Sequence, residues 1–267
     1  MPTILLINDD GIQSIGLVTL KKKLEKLGNV VVVAPKDERS GIGKALTTGR
    51  IKIMETRLSD GSKAYATTGT PADAFFLAVN KILKRPPDLL VAGINLGPNL
   101  GIDDLLNSGT LGAALEAAIH EVPAIAVSYC MEELTEYLTE KMRVSVEELE
   151  LTATIAQKSA QYVLENGMPK DVDIISINVP QNASSKKAKI TRLSHKGYSD
   201  IYTKRGEDYQ IAGWALSDYP DDEPGTDIHA VKTEKQISIT SISLKMFHDE
   251  KGLEKLAETI SILLHNA

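Results

Sequence analysis

Ile4-Leu5-Leu6-Ile7-Asn8-Asp9-Asp10-Gly11 decides the fold and locates the chemistry of the chain. Four aliphatic residues in a row, closed by a glycine, predict a short strand buried on both faces. Two adjacent carboxylates sit at its C-terminal end, the edge where open α/β sheets bind their ligands. Carboxylates about 5 Å apart repel by roughly 3 kcal/mol at an effective dielectric near 20. A cation between them, or a proton on one, offsets that repulsion. Asp9, Asp10 and the carbonyl of Asn8 are hard oxygen donors suited to Mg²⁺, Mn²⁺ or Ca²⁺. Asn-Asp-Asp-Gly is also good turn chemistry, so a solvated Asx-turn is the competing reading of this stretch alone.

After this strand, residues 14–28 carry Ile15, Leu17, Val18, Leu20, Leu24 and Leu27 on one helical face, and Gly28 sits where a C-cap glycine belongs. Asn29-Val30-Val31-Val32-Val33-Ala34 is a second buried strand. The resulting β-α-β unit is right-handed and implies a parallel sheet. Residues 35–48 form a loop too long for a mere connector, leaving the same sheet edge as Asp9 and Asp10. Within it, Ser40 before Gly41 offers a hydroxyl and a closely approaching backbone to a metal or phosphate.

Residues 50–55 and 63–67 read as paired strands around the Asp60-Gly61 turn. Thr70-Pro71-Ala72-Asp73 opens a helix to about Leu83, with Thr70 as N-cap and Asp73 reaching back, so Asp73 is expected to be structural. Asp88-Leu89-Leu90-Val91-Ala92 is another buried strand. It runs into Gly93-Ile94-Asn95-Leu96-Gly97-Pro98-Asn99-Leu100-Gly101, where Asn95 and Asn99 suit plain turns and equally offer oxygens to a metal and amide donors to a phosphoryl group. Ser108 caps an Ala-rich helix beginning Gly109-Thr110, which reads either as a ready anion site of free N–H groups with a hydroxyl rim or as an ordinary capped helix whose small residues allow close helix–sheet packing. A strand at 123–128 follows.

Beyond it, residues 132–143 form a charged excursion. Ser145-Val146-Glu147-Glu148 is a capping box opening a helix to about Glu165, and residues 173–179 form a further strand. The chain is therefore expected to be α/β, a doubly wound, mostly parallel, Rossmann-like sheet. Its core spans 1–180 and carries the metal site. Residues 181–267 hold hairpin arms, a strand at 236–244 and a closing helix at 253–264, an extension of the same structural domain expected to mediate oligomerisation. Trp214 is the candidate interface anchor there.

Composition narrows the function. A net charge of −6 argues against a broad nucleic-acid face. No stretch is long and apolar enough to span a membrane, and Asn8-Asp9-Asp10 interrupts any signal-peptide core. The single cysteine, Cys130, excludes an internal disulfide, making a reducing cytoplasm the expected compartment. His120, His195, His229, His248 and His265 show no pair at zinc-ligand spacing, although His229 could approach the pocket through the neighbouring Asp227. No glycine-rich dinucleotide fingerprint follows the first strand, and a receiver-like domain would need only about half this length.

Asn8-Asp9-Asp10-Gly11, Arg39-Ser40-Gly41, Gly69-Thr70-Pro71, Gly93-Ile94-Asn95 with Gly97-Pro98-Asn99, Ser108-Gly109-Thr110 and the later Pro224-Gly225-Thr226-Asp227 together resemble the SurE family. These are stationary-phase survival proteins, divalent-metal-dependent nucleoside monophosphate phosphatases. The resemblance covers essentially the whole chain. It implies one divalent metal per subunit, Mg²⁺ or Mn²⁺, on Asp9, Asp10, Ser40 and Asn95. It implies a phosphate surrounded by Asn99, Ser108, Gly109 and Thr110, with Asn8 and Gly41 close by. It further implies 5′- and 3′-nucleotidase activity, trimming of short polyphosphate in some members, and a homodimer or homotetramer with exchanged C-terminal elements. Asp9 and Asp10 are then the catalytic pair, with a metal-activated water as nucleophile. The competing readings are an Asp9 that is itself phosphorylated, or a nucleotide sensor without turnover.

Overall fold

The structure, a computed structural model, describes residues 1–132, 143–183, 187–198, 202–211, 215–245, 253, 254, 256–258 and 260. In chain order the first half contains β1 (Thr3–Ile7), α1 (Ile15–Leu24), β2 (Asn29–Pro35), β3 (Ile53–Arg57), β4 (Lys63–Thr67), α2 (Pro71–Leu77) with a π-helical continuation over Ala78–Leu83, and β5 (Leu89–Leu96). Then come α3 (Gly101–Asn107), α4 (Gly109–Ile119), β6 (Ala124–Cys130), α5 (Val146–Asn166), β7 (Ile174–Pro180), β8 (Ala188–Thr191), β9 (Tyr202–Arg205), β10 (Asp208–Ile211) and β11 (Ile237–Ile242). Among the described residues one sheet has nine strands in the order β3-β4-β2-β1-β5-β6-β7-β11-β8.

The central strands β4, β2, β1, β5, β6 and β7 run parallel, while β3 and β11 are antiparallel to their neighbours β4 and β7. Alternation along β1 assigns the two faces. Ile4 and Leu6 join a cluster with Leu17, Leu20 and Leu24 of α1 and Leu149, Ala153 and Ala156 of α5. Leu5 and Ile7 point the other way, toward Phe75 of α2 and Leu111, Ala114 and Leu115 of α4. Both faces being covered explains why the strand reads as an unbroken aliphatic run. The doubly wound expectation is met.

β1 lies between β2 and β5, so the chain winds outward in one direction after β1 and returns to begin the other half at β5. That reversal opens a crevice at the C-terminal ends of β1 and β5, the place where such sheets bind ligands. Asp9 and Asp10 follow one of these strands, and Asn95 lies near the end of the other.

Two local readings hold in detail. Thr70 and Asp73 form a reciprocal capping box at the start of α2, and Ser145 and Glu148 form one at α5. One expectation is corrected. Of the segments taken as hairpin arms, that around Ile190 is instead the edge strand β8, parallel to β11 within the main sheet. Its sparse apolar content concealed this, since an edge strand needs only backbone pairing on one side. The pair β9–β10 is a separate antiparallel hairpin as expected. The closing helix is helical at 254, 256–258 and 260. Most of the charged excursion, Trp214, Lys186, Ile201, His248, His265 and the remainder of that helix lie outside the described residues. No helix among the described residues is long and apolar enough to cross a membrane.

Candidate active site

At the switch point lies a cavity open to solvent. Asp9, Ser40, Gly41, Asn95, Asn99 and Ser108 line it. Six of the residues anticipated from sequence therefore meet in one place, although they are drawn from positions 9 to 108. Asn8, Asp10, Gly109 and Thr110 are not part of its lining, and each has a definite neighbour.

Asp9 is nearly fully buried. Its Oδ1 accepts a hydrogen bond from the Thr110 hydroxyl at 2.6 Å, and its Oδ2 accepts from the Thr110 backbone N–H at 3.1 Å. The start of α4 was read as an anion site, and the anion it holds within the chain is Asp9. Thr110 therefore orients Asp9 rather than facing the cavity itself. Gly109 explains how the helix comes so close. A Cβ added there would stand 2.8 Å from Asp9 Cβ and 3.0 Å from both Asp9 Oδ2 and the Arg39 carbonyl. Asp10 Oδ2 accepts from the Leu96 backbone N–H at 3.1 Å, which ties the end of β1 to the end of β5.

The loop after β2 is docked on the same strand end, because the Arg39 N–H donates to the Asp9 carbonyl at 2.7 Å. The Ser40 hydroxyl donates to Glu38 Oε1 at 2.7 Å. With its proton so engaged, the hydroxyl meets a ligand as a lone-pair donor rather than as an acid. The Asn95 amide nitrogen donates to the Gly97 carbonyl at 2.8 Å, which leaves its oxygen as the atom it offers to a cation. Asn8 donates to the Gly11 carbonyl, and its fully buried Oδ1 has no hydrogen-bond partner among the described residues. Ser108 is the N-cap of α4, accepting from the Leu111 N–H at 3.2 Å.

This donor set fits a hard divalent cation. The cavity wall offers the Asp9 carboxylate, the Ser40 hydroxyl and the Asn95 amide oxygen, and the Asp10 carboxylate, next in the chain to Asp9, stands outside the lining; none of these donors is sulfur or imidazole. Among the described residues no group of three or more His, Cys, Asp or Glu side chains is placed to bind a metal.

Several participants were missed from sequence. Asn178 clamps Asn99 on both sides, accepting from its N–H and donating to its carbonyl, each at 2.9 Å. The Asn99 side-chain amide donates to the Ser128 hydroxyl at 2.9 Å. Asp104 and Tyr198 also line the cavity. Asp104 accepts from the Leu100 N–H at 2.6 Å and from the Tyr219 hydroxyl. Burial pushes its carboxyl up to about 8, against the opposing effect of those two donors. Asp227, also raised by burial, accepts from the N–H groups of Gly101 and Ser194 at 2.9 Å and so pins the start of α3. His229 belongs elsewhere, its ring engaging the Asp222 carbonyl and Glu234. Cys130 is buried at the end of β6 and its thiol is raised by desolvation, as befits a small packed side chain. The signal for Asp104 and Asn178 is absent from local sequence, since their partners lie up to 115 and 79 residues away.

Comparison with known proteins places the chain in a family. The family described as "Survival protein SurE" matches residues 4–200. A "5'-nucleotidase SurE" from Methanococcus maripaludis (strain C6) is 39% identical over 261 residues, covering 96% of this chain and 96% of that protein. One of the same name from Methanocella arvoryzae is 36% identical over 259 residues, covering 94% and 95%. The crystal structure of the SurE protein from Aquifex aeolicus superposes with a TM-score of 0.73 at 31% identity, covering 97% of this chain and all of that one. A shared fold, a family match across most of the length and relatives aligned nearly end to end leave one assignment: this chain belongs to the SurE family.

Proposed function

We propose that this chain is a divalent-metal-dependent phosphomonoesterase that hydrolyses nucleoside monophosphates to nucleoside and phosphate. The name 5'-nucleotidase carried by its relatives supports a phosphoric monoester hydrolase. The observation that carries the reading is the meeting of Asp9, Ser40, Asn95 and Ser108 in one cavity at the switch point of the sheet. The finer reading includes one Mg²⁺ or Mn²⁺ per subunit, activity on 3′- as well as 5′-nucleotides, and trimming of short polyphosphate.

Asp9, Asp10, Ser40 and Asn95 would hold the cation. Bound there, it supplies charge neutralisation at the phosphoryl oxygens and acidifies the attacking water. Asp9 orients that water and takes its proton, since Thr110 fixes the rotation of its carboxylate. The hydroxyl of Ser108 and the Asn99 side-chain amide, whose second N–H is not used by Ser128, present donors to phosphoryl oxygens as charge develops on them. Asn178 holds the Asn99 backbone in place for this.

Asp9→Asn tests the reading. It preserves shape and an acceptor oxygen but removes the charge and the base. Phosphate release from AMP with Mn²⁺ is expected to fall by about 100-fold or more, with the circular dichroism spectrum and melting temperature near wild type. A D9N protein of wild-type activity refutes the assignment.

A further inference from the structure

The lining of the cavity is mostly carboxylate, amide, hydroxyl and glycine, and its apolar surface comes from Pro98 and Tyr198. A nucleotide differs from other phosphate esters chiefly in its base, a flat ring that stacks on aromatic side chains whatever its hydrogen-bonding pattern. Aromatic residues are few in this chain, at 4%, so a ring in the cavity wall calls for an explanation.

Tyr198 is held firmly. Its backbone N–H donates to Asp103 Oδ2 at 2.8 Å. The chain lies so close to α3 there that a Cβ on Gly197 would stand 2.2 Å from the same oxygen. Its ring meets that of Tyr219 edge to face, centroids 5.5 Å apart at 63°. Tyr219 is in turn fixed by its hydroxyl on Asp104 and by packing among Leu100, Leu216, Ile228 and Val231. The Tyr198 hydroxyl is buried and has no hydrogen-bond partner among the described residues, so packing of the ring sets its position. An aromatic surface pre-positioned in this way loses little side-chain entropy when a ligand covers it.

We propose that the ring of Tyr198 is the surface against which the nucleobase stacks, which makes it a specificity-determining residue. The proposal rests on the phosphomonoesterase reading and adds what is recognised in the leaving group. Stacking tolerates every base, so the preference it creates is for nucleotides over baseless phosphate esters rather than for one nucleotide.

The test compares kcat/KM for AMP and for ribose 5-phosphate, which presents the same ester without a base, using the full chain with Mn²⁺. Wild type is expected to prefer AMP. Tyr198→Leu keeps apolar bulk without a π-face, and should lower the AMP to ribose 5-phosphate ratio by about tenfold or more. Tyr198→Phe should keep the ratio, separating ring from hydroxyl. If Y198L does not melt cooperatively, Tyr198→Met replaces it and is read the same way. An unchanged ratio in the variant lacking the ring, a ratio lost in Y198F, or a wild type indifferent to the base overturns the stacking role while phosphatase activity stands. A wild type that hydrolyses neither ester overturns the phosphomonoesterase reading itself.

Discussion

Asp104 is the residue whose protonation links the site to stability. Burial raises its carboxyl from the ordinary value of 3.8 to about 8, so the folded protein carries it neutral at pH 7. The unfolded chain releases this proton near pH 4 and the folded chain keeps it to about pH 8. The stabilisation is therefore fully present below pH 4 and is lost as pH rises through 8. Asp227, shifted in the same direction, adds to the same trend. Asp104→Asn retains an acceptor for the Leu100 N–H and the Tyr219 hydroxyl but has no proton to lose. Between pH 6 and pH 9 the wild-type melting temperature should fall by about 5 °C more than that of D104N. Parallel melting curves would show that Asp104 is not the group responsible. The role of Asp104 is not visible from its neighbours in sequence, where Asp103-Asp104 reads as an ordinary acidic first turn. Its burial is created by Tyr219, 115 residues further on. Asp9 was legible because its chemistry and its strand-end position are adjacent in sequence. The clamp on it from Thr110 was not, being a contact across 101 residues.

Among the elements, α4 does the most to shape the site. Its N-terminal turn approaches the end of β1 closely enough that Thr110 donates twice to Asp9, and Gly109 is the residue that permits the approach. The small residues at the helix start let it pack directly onto a carboxylate of the chain itself. Gly109→Ala isolates the effect. Gly109 does not have a positive φ, so alanine fits its backbone and favours the helix. Its Cβ would nevertheless press on Asp9 and the Arg39 carbonyl. Displacing a reacting group by a fraction of an ångström should lower kcat by about tenfold or more with helix content unchanged by circular dichroism. A G109A enzyme with wild-type kcat would show that the approach of α4 is not needed. At this scale the core strands and capped helices could be read from aliphatic runs and capping boxes. The edge strand β8 could not, because its pairing with β11 depends on a distant neighbour, Ala188 standing beside Ile237 and Thr191 beside Thr240, rather than on its own pattern.

For the whole molecule, topology does what no single motif can. Placing β1 between β2 and β5 brings three otherwise unrelated loops to one crevice, and α3 with α4 closes it from the side of residue 108. The alternation of strands and helices along the chain was enough to anticipate that edge as the ligand-binding one. It could not anticipate that residues 194–198, from beyond the seventh strand, return to α3 and supply Tyr198 to the cavity wall. The central claim is that these loops together hold one divalent cation beside a phosphate. The most direct measurement is anomalous diffraction at the manganese edge from a crystal of the full chain soaked in Mn²⁺. One peak per subunit coordinated by Asp9, Asp10, Ser40 and Asn95 is the predicted result, and a manganese ion bound away from these four residues would contradict the account.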